Sequence, residues 1–263
     1  MGIIIPAHNE AEDITQCLTA IVAARKDART KYPHLNVSIW CVADNCTDDT
    51  ENIVLKNFTD VDNLHLLQVD FRKPGLTRDY GIQQFFAYVH RFSSCPAHNA
   101  WVAMTDADTV VPLNWLTDQI TAANNGTDCV VGTVEPRKSE LGDQVYNLWR
   151  ERHDFCEGHK HIFGANLGVR ASAYQQVGGF LPLLHSEDSS LVKAVEDAGF
   201  EMLKTDRIRA VTSGRVQGRV VHGFSTYLAD LIAEKASPAN EPLPPTVAVR
   251  RLLKAPRVPS THW

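Results

Sequence analysis

The first half of the chain alternates short apolar runs with amphipathic stretches. Residues 2–5, 37–42, 64–69, 101–104 and 128–134 are apolar runs of strand length, each closed by a polar turn. Between them lie helical patterns. Ile14, Leu18, Ile21 and Val22 recur at helical spacing. Thr47 reads as the N-cap of a second helix, with Asp48 and Asp49 suited to its positive end. Residues 76–90 and 116–123 complete the set. Strands alternating with helices predict βαβ units, a mostly parallel central sheet and helices on both faces, an α/β fold. Ligands of such sheets sit beyond the carboxyl ends of the strands.

The second half is less regular. Residues 144–157 read as a helix rich in aromatics and charge, and residues 161–170 as an extended, glycine-punctuated segment. A short helix over 171–177 stops at Gly178-Gly179. Another opens at His185-Ser186-Glu187-Asp188, with Leu191, Val192, Val195 and Ala198 on its apolar face and Gly199 as its stop. Short strands follow at 201–205 and 210–212, then a helix at 227–233. We expect one domain over residues 1–235 and a distinct tail over 236–263. The tail holds six of the thirteen prolines and the basic cluster Arg250, Arg251, Lys254 and Arg257, a composition that suits an extended arm.

Composition narrows the classes. The hydrophobic fraction of 44% and charged fraction of 22% are ordinary for a globular protein. A net charge of -5 argues against a nucleic-acid partner. The six cysteines show no C-x-x-C spacing, which favours free thiols over a disulfide framework or a zinc site. The start, Met1-Gly2-Ile3, carries no basic leader, and no apolar run reaches membrane-spanning length. The expectation is a cytoplasmic protein whose basic tail is free to touch an acidic membrane surface.

Polar residues of unusual chemistry gather after the first, second and fourth strands. After the fourth, Thr105-Asp106-Ala107-Asp108-Thr109 places two acids one residue apart. Either a hard divalent cation relieves their repulsion, or one acid caps the next turn while the other is solvated. Glu10 is a ligand-facing carboxylate or a first-turn helix acid, and Asp44 a ligand or a turn former. Arg72, Lys73 and Arg78 near the third strand's exit suit phosphate oxygens, with solvated surface charge as the alternative. Gly164 either admits a ligand or shapes backbone. Glu187 and Asp188 are two acids that favour a helix N-terminus. Trp149, Phe155 and Phe163 stack on a ligand, or form core.

Taken together, Pro6-Ala7-His8-Asn9-Glu10, Asp44 with the acids to Thr50, Asp106-Ala107-Asp108 and Glu187-Asp188 stand in an order that resembles the family 2 glycosyltransferases. The resemblance spans roughly residues 2–233. It implies the GT-A fold, a Rossmann-like arrangement. Residues 1–134 would bind a nucleoside-diphosphate sugar, with UDP the commonest carrier, and residues 135–235 an acceptor hydroxyl on a small molecule, a glycan or a lipid-linked acceptor. By that resemblance Pro6, Ala7, Asn9, Glu10, Asp44, Lys73, Arg78 and Asp106 contact the nucleotide sugar. Asp108 ligates Mn²⁺ or Mg²⁺, with Asp106 beside it and His222 as a further ligand. Arg215 and Arg219 clamp the diphosphate. Gly164, Asn166 and Glu187 line the acceptor side, and Asp188 is the base of a single, inverting displacement. The chain has no Q-x-x-R-W motif, which points to transfer of one sugar rather than processive synthesis. Two other readings exist. Asp106-Ala107-Asp108-Thr109 also fits the nucleophile motif of haloacid-dehalogenase phosphatases, although there it follows the first strand. The third is a nucleotide-sugar-binding protein without catalysis.

Overall fold

In a computed structural model, the structure describes residues 1–93, 95–183, 186–216 and 224–236. Among the described residues seven strands form one sheet: β1 (Gly2–Ala7), β2 (Ser38–Asp44), β3 (Leu64–Val69), β4 (Trp101–Met104), β5 (Cys129–Pro136), β6 (Leu167–Arg170) and β7 (Met202–Thr212), in the order β3-β2-β1-β4-β6-β5-β7. β1 runs parallel to both β2 and β4, so Ile4 sits opposite Trp40 on one side and Met104 on the other. Only β6 runs against its neighbours, antiparallel to β4 and β5.

The helices are α1 (Ile14–Lys31), α2 (Thr50–Asn57), α3 (Pro74–Phe92), α4 (Trp115–Asn124), α5 (Lys138–Leu141), α6 (Asp143–Glu151), α7 (Ala171–Gln176), α8 (Glu187–Asp197) and α9 (Phe224–Ala236). The pleat of β1 distributes them over two faces, because successive side chains point oppositely. Ile3 and Ile5 join Ile14, Leu18, Val54, Trp115 and Leu116 of α1, α2 and α4. Ile4 joins Ile82 and Phe85 of α3, Tyr174 of α7 and Leu191 and Val195 of α8. α3 lies close on the sheet at Gly81, where a Cβ would come within 2.9 Å of both Ile4 and Val42. The α/β architecture with helices on both faces is as the hydrophobic pattern predicts.

Four expectations shift. The second helix starts at Thr50, not just after Thr47. Asn9 Oδ1 accepts the Thr47 and Asp48 N–H groups, and Asp48 Oδ1 accepts the Thr50 N–H instead. The aromatic helix ends at Glu151, where His153 Nδ1 lies 2.8 Å from the Trp149 carbonyl and takes the place of continued helix bonding. Over 161–170 only the last four residues are strand, preceded by a 3₁₀ turn at Gly164–Asn166. The two short strands expected after Gly199 are one, β7, with a register shift against β5 between Gly132 and Val134. β7 is a sheet edge, which tolerates the charged stretch Asp206 to Arg209 in mid-strand. All six cysteines are free. No helix among the described residues is long and apolar enough to cross a membrane.

Candidate active site

The loops after β1, β2 and β3 meet at one end of the sheet, and each holds a non-glycine residue in the left-handed region: Asn9 (φ 55°), Asn45 (φ 53°) and Arg72 (φ 54°). Side chains from neighbouring loops hold these turns. Asn9 ties the first loop to the second through Thr47 and Asp48. Asp44 Oδ1 accepts the N–H groups of Phe71 and Arg72 at 2.7 and 2.9 Å. Its Oδ2 accepts the Lys73 N–H at 3.3 Å and the Thr77 hydroxyl at 2.5 Å. Both Asp44 oxygens therefore fix the Phe71–Lys73 loop, and its side chain shapes the cleft wall rather than standing open to it.

β4 delivers Asp106 and Asp108. The Thr109 N–H bonds the Asp106 carbonyl, and an antiparallel bridge between Val110 and Val211 docks this turn on the end of β7. The two acids differ. Asp106 is 35% exposed and Asp108 13%. Asp108 Oδ1 accepts the Thr109 and Thr212 hydroxyls at 3.2 and 3.1 Å. Burial, reinforced by the charge of Asp106 and opposed by Arg215, pushes the Asp108 carboxyl up to about 6.

Two arginines cross the cleft. Arg78, buried on α3, bonds Asp106 Oδ1 through one nitrogen and Glu187 Oε1 through another, each at 2.5 Å. Burial disfavours its charge, but Asp106, Glu187 and Asp188 outweigh that and raise its pKa. Arg215, just past β7, bonds both oxygens of Glu10 at 2.8 Å and Asp108 Oδ2 at 2.9 Å. A third, Arg137 at the end of β5, pairs with Asp13 at 3.0 Å and with Glu140. Glu140 Oε2 in turn accepts the Ser213 hydroxyl and the Gly214 N–H, which fixes the segment that carries Arg215.

α8 opens on the remaining acids. Asp188 Oδ2 accepts the Gly164 N–H at 2.8 Å and its Oδ1 the Ser189 N–H at 2.7 Å. A Cβ on Gly164 would lie 3.0 Å from Arg78 and 3.3 Å from Asp188, so glycine lets the chain press onto both.

The cleft has two lobes. One, of about 450 Å³, is lined by Pro6, Ala7, Glu10, Asp44, Asn45 and Lys73 among others. The other, of about 480 Å³, is lined by Gly164, Glu187 and Asp188 with an aromatic side of His153, Phe163, Phe224 and Tyr227. Pro74, Arg78, Asp106, Asp108 and Arg215 line both and form the bridge between them.

The structure thus gathers most of the residues that the sequence singles out, with clear exceptions. Asn166 does not reach the cleft. It is fully buried, its Nδ2 bonded to the carbonyls of Thr133 and Ile208 and its Oδ1 to the Trp115 indole. An amide saturated this way has nothing left for an acceptor. Asn9 spends its carbonyl oxygen on the second loop. Arg219, His222 and the tail beyond Ala236 lie outside the described residues. Trp149 is core, packed with Leu228 and Leu231, and Phe155 lies against the guanidinium groups of Arg150 and Arg209; only Phe163 of that trio lines a lobe. Sequence reasoning missed Asp13, Arg137, Glu140 and Thr212. Arg137 with Asp13, and Glu140 with Ser213 and Gly214, join across long sequence separations with no local motif, although an arginine directly after an apolar strand was a signal in plain view.

The chain belongs to the glycosyl transferase family 2, which matches residues 2–176. That membership does not favour the phosphatase reading of Asp106-Ala107-Asp108. Glu187 and Asp188 lie beyond the matched span, so their place rests on the geometry above. A curated relative, the glycosyltransferase AglE of Haloferax volcanii, is 26% identical over 211 residues, covering 77% of this chain and 63% of AglE. The chain thus spans less than two thirds of that relative's length. Among solved structures, S. aureus TarS in complex with UDP shares the fold at a TM-score of 0.57 and 18% identity, over 89% of this chain and 64% of TarS. The Pyrobaculum calidifontis mannosyltransferase PcManGT with GDP-Man and Mn²⁺ gives 0.59 and 18%, over 83% and 58%. GalNAc-T7 with UDP, GalNAc and Mn²⁺ gives 0.57 and 13%, over 83% and 45%. These likenesses establish a GT-A glycosyltransferase fold.

Proposed function

We propose that this chain moves one sugar from a nucleoside-diphosphate sugar, UDP being the first carrier to test, onto an acceptor hydroxyl with inversion at the anomeric carbon. One observation carries the reading. Glu10, Asp44 and Lys73 line only the first lobe, Glu187 and Asp188 only the second, and Arg78, Asp106, Asp108 and Arg215 stand between them. A donor in the first lobe with its sugar over the bridge presents the anomeric carbon to an acceptor in the second.

The bridge also fits a divalent cation. Asp106 and Asp108 offer hard oxygen ligands, and each already faces a positive group in the structure, Arg78 and Arg215 respectively. Among the described residues no group of three His, Cys, Asp or Glu side chains is placed to hold a metal. An ion there would be held by Asp106 and Asp108. The PcManGT and GalNAc-T7 structures, which contain Mn²⁺, support this assignment. Held by Asp106 and Asp108, a divalent cation would supply charge neutralisation for a leaving nucleoside diphosphate.

The chain's own residues do the rest. Lys73 and Arg215 meet phosphate oxygens. Arg78 holds Asp106 and Glu187 in fixed relation, so the donor and acceptor sides share one rigid strut. Asp188 takes the proton of the acceptor hydroxyl as that oxygen bonds to the anomeric carbon and the nucleoside diphosphate leaves. One base and one displacement invert the centre, by the geometric logic of inverting glycosidases.

Calorimetric titration with UDP, GDP and dTDP, each with and without Mn²⁺, tests the donor side. One nucleotide should bind, only with the metal, and Asp108→Ala should remove that binding. Equal binding of all three without metal would overturn both the donor site and the cation.

A further inference from the structure

We propose that Arg215 is a built-in cation that holds the divalent-ion seat, and that the metal and this guanidinium exchange places on Asp108. The inference rests on reading Asp106 and Asp108 as that seat.

Three observations support it. First, Arg215 is not merely near the seat. Its guanidinium bonds the same Asp108 oxygen, Oδ2, that a cation between the two acids would use, since Oδ1 is already taken by Thr109 and Thr212. Second, Arg215 has a second anchor. Glu10 grips both of its terminal nitrogens at 2.8 Å, and Asp13 lies 3.9 Å away. A guanidinium released from Asp108 therefore keeps a carboxylate partner and is not left as an isolated charge. Third, Ser213 and Gly214 are fastened to Glu140, so the backbone before Arg215 can stay in place while the side chain changes partners. The long arginine side chain is suited to such a swap.

The exchange has a functional consequence. In the empty site Glu10 and Asp108 would repel one another without Arg215 between them, whereas Asp106 and Asp13 keep Arg78 and Arg137. With it the site is stable but the metal must compete. An incoming diphosphate offers Arg215 a new anion and the metal new oxygen ligands. Nucleotide and metal then enter cooperatively, each removing the obstacle to the other. Arg215 is thus a positioning residue that suppresses metal binding until the donor arrives.

The test uses the full-length chain and Mn²⁺ alone, followed by calorimetry or by the loss of the free-ion electron paramagnetic signal, with no nucleotide present. Arg215→Ala should bind Mn²⁺ about tenfold more tightly than the wild type, a coupling of ordinary size for two linked sites. Arg215→Lys, which keeps the charge but loses the fork, should fall between. Adding UDP or GDP should then tighten Mn²⁺ binding strongly in the wild type and weakly in Arg215→Ala. Arg215→Gln, closer in size, repeats the comparison if thermal melting shows that the alanine variant has lost its fold. Unchanged or weaker Mn²⁺ binding in the neutral variants, with normal binding in the wild type, would overturn the exchange while leaving the metal seat standing. No Mn²⁺ binding by any variant, with or without nucleotide, would overturn both.

Discussion

Exchanging Asp188 for asparagine lowers the transfer rate by about 10²–10⁴-fold, the usual worth of a positioned general base, while nucleotide affinity stays within a few-fold of the wild type. The reason lies in where Asp188 sits. It lines only the second lobe, and its contacts are the N–H groups of Gly164 and Ser189. Asparagine can still accept from Gly164 through its amide oxygen, so the fold around it survives, but it cannot take a proton. The measurement is paired: calorimetry for the nucleotide, and nucleoside-diphosphate release for turnover. A fall in both together would make Asp188 a donor-binding or structural residue. Wild-type turnover would remove it as the base.

The second large effect is on stability. Arg78→Met should cost about 3–5 kcal/mol, the range for breaking a buried ion pair by removing one partner. The Arg78 side chain is 5% exposed and Glu187 11%, so loss of the guanidinium leaves Glu187 charged in a site with little water. Asp106, more open to solvent, suffers less. Urea denaturation measures the change as a shift in midpoint at constant slope. The triple variant Arg78→Met, Glu187→Gln, Asp106→Asn should regain a large part of the loss, because no uncompensated charge remains. If Arg78→Met alone unfolds at the wild-type midpoint, the strut is a surface ornament and the two lobes are not mechanically joined.

How far the sequence foretells this site depends on whether the signal is local. The strands end where the apolar runs stop, so residues 6–10, Asp44 and the Asp106-Ala107-Asp108 turn fall on one sheet end in the order the pattern predicts. The Glu187-Asp188 pair opens α8 as its position before Leu191 and Val195 suggests. What was hidden is what each side chain touches. Asp44 has the residue type of a ligand, and it holds a loop because three N–H groups and a hydroxyl converge on it from residues 71–77. Asn166 sits in a glycine-marked segment that reads as a ligand wall, yet the antiparallel insertion of β6 between β4 and β5 turns its amide into the core. No periodicity announces that insertion, since four residues are too few to show one. The arginine pairs escape for the same reason: Arg78 with Glu187, and Arg215 with Glu10, join residues that only the tertiary fold makes neighbours.

A single displacement across the bridge from one lobe to the other fixes the configuration of the product. The most direct measurement is the anomeric configuration of the product formed with a simple alcohol as acceptor, read by proton NMR, because the new glycosidic bond then cannot mutarotate. An α-linked nucleotide sugar should give the β-glycoside. A retained α-linkage would contradict the single displacement and the placement of Asp188 as its base.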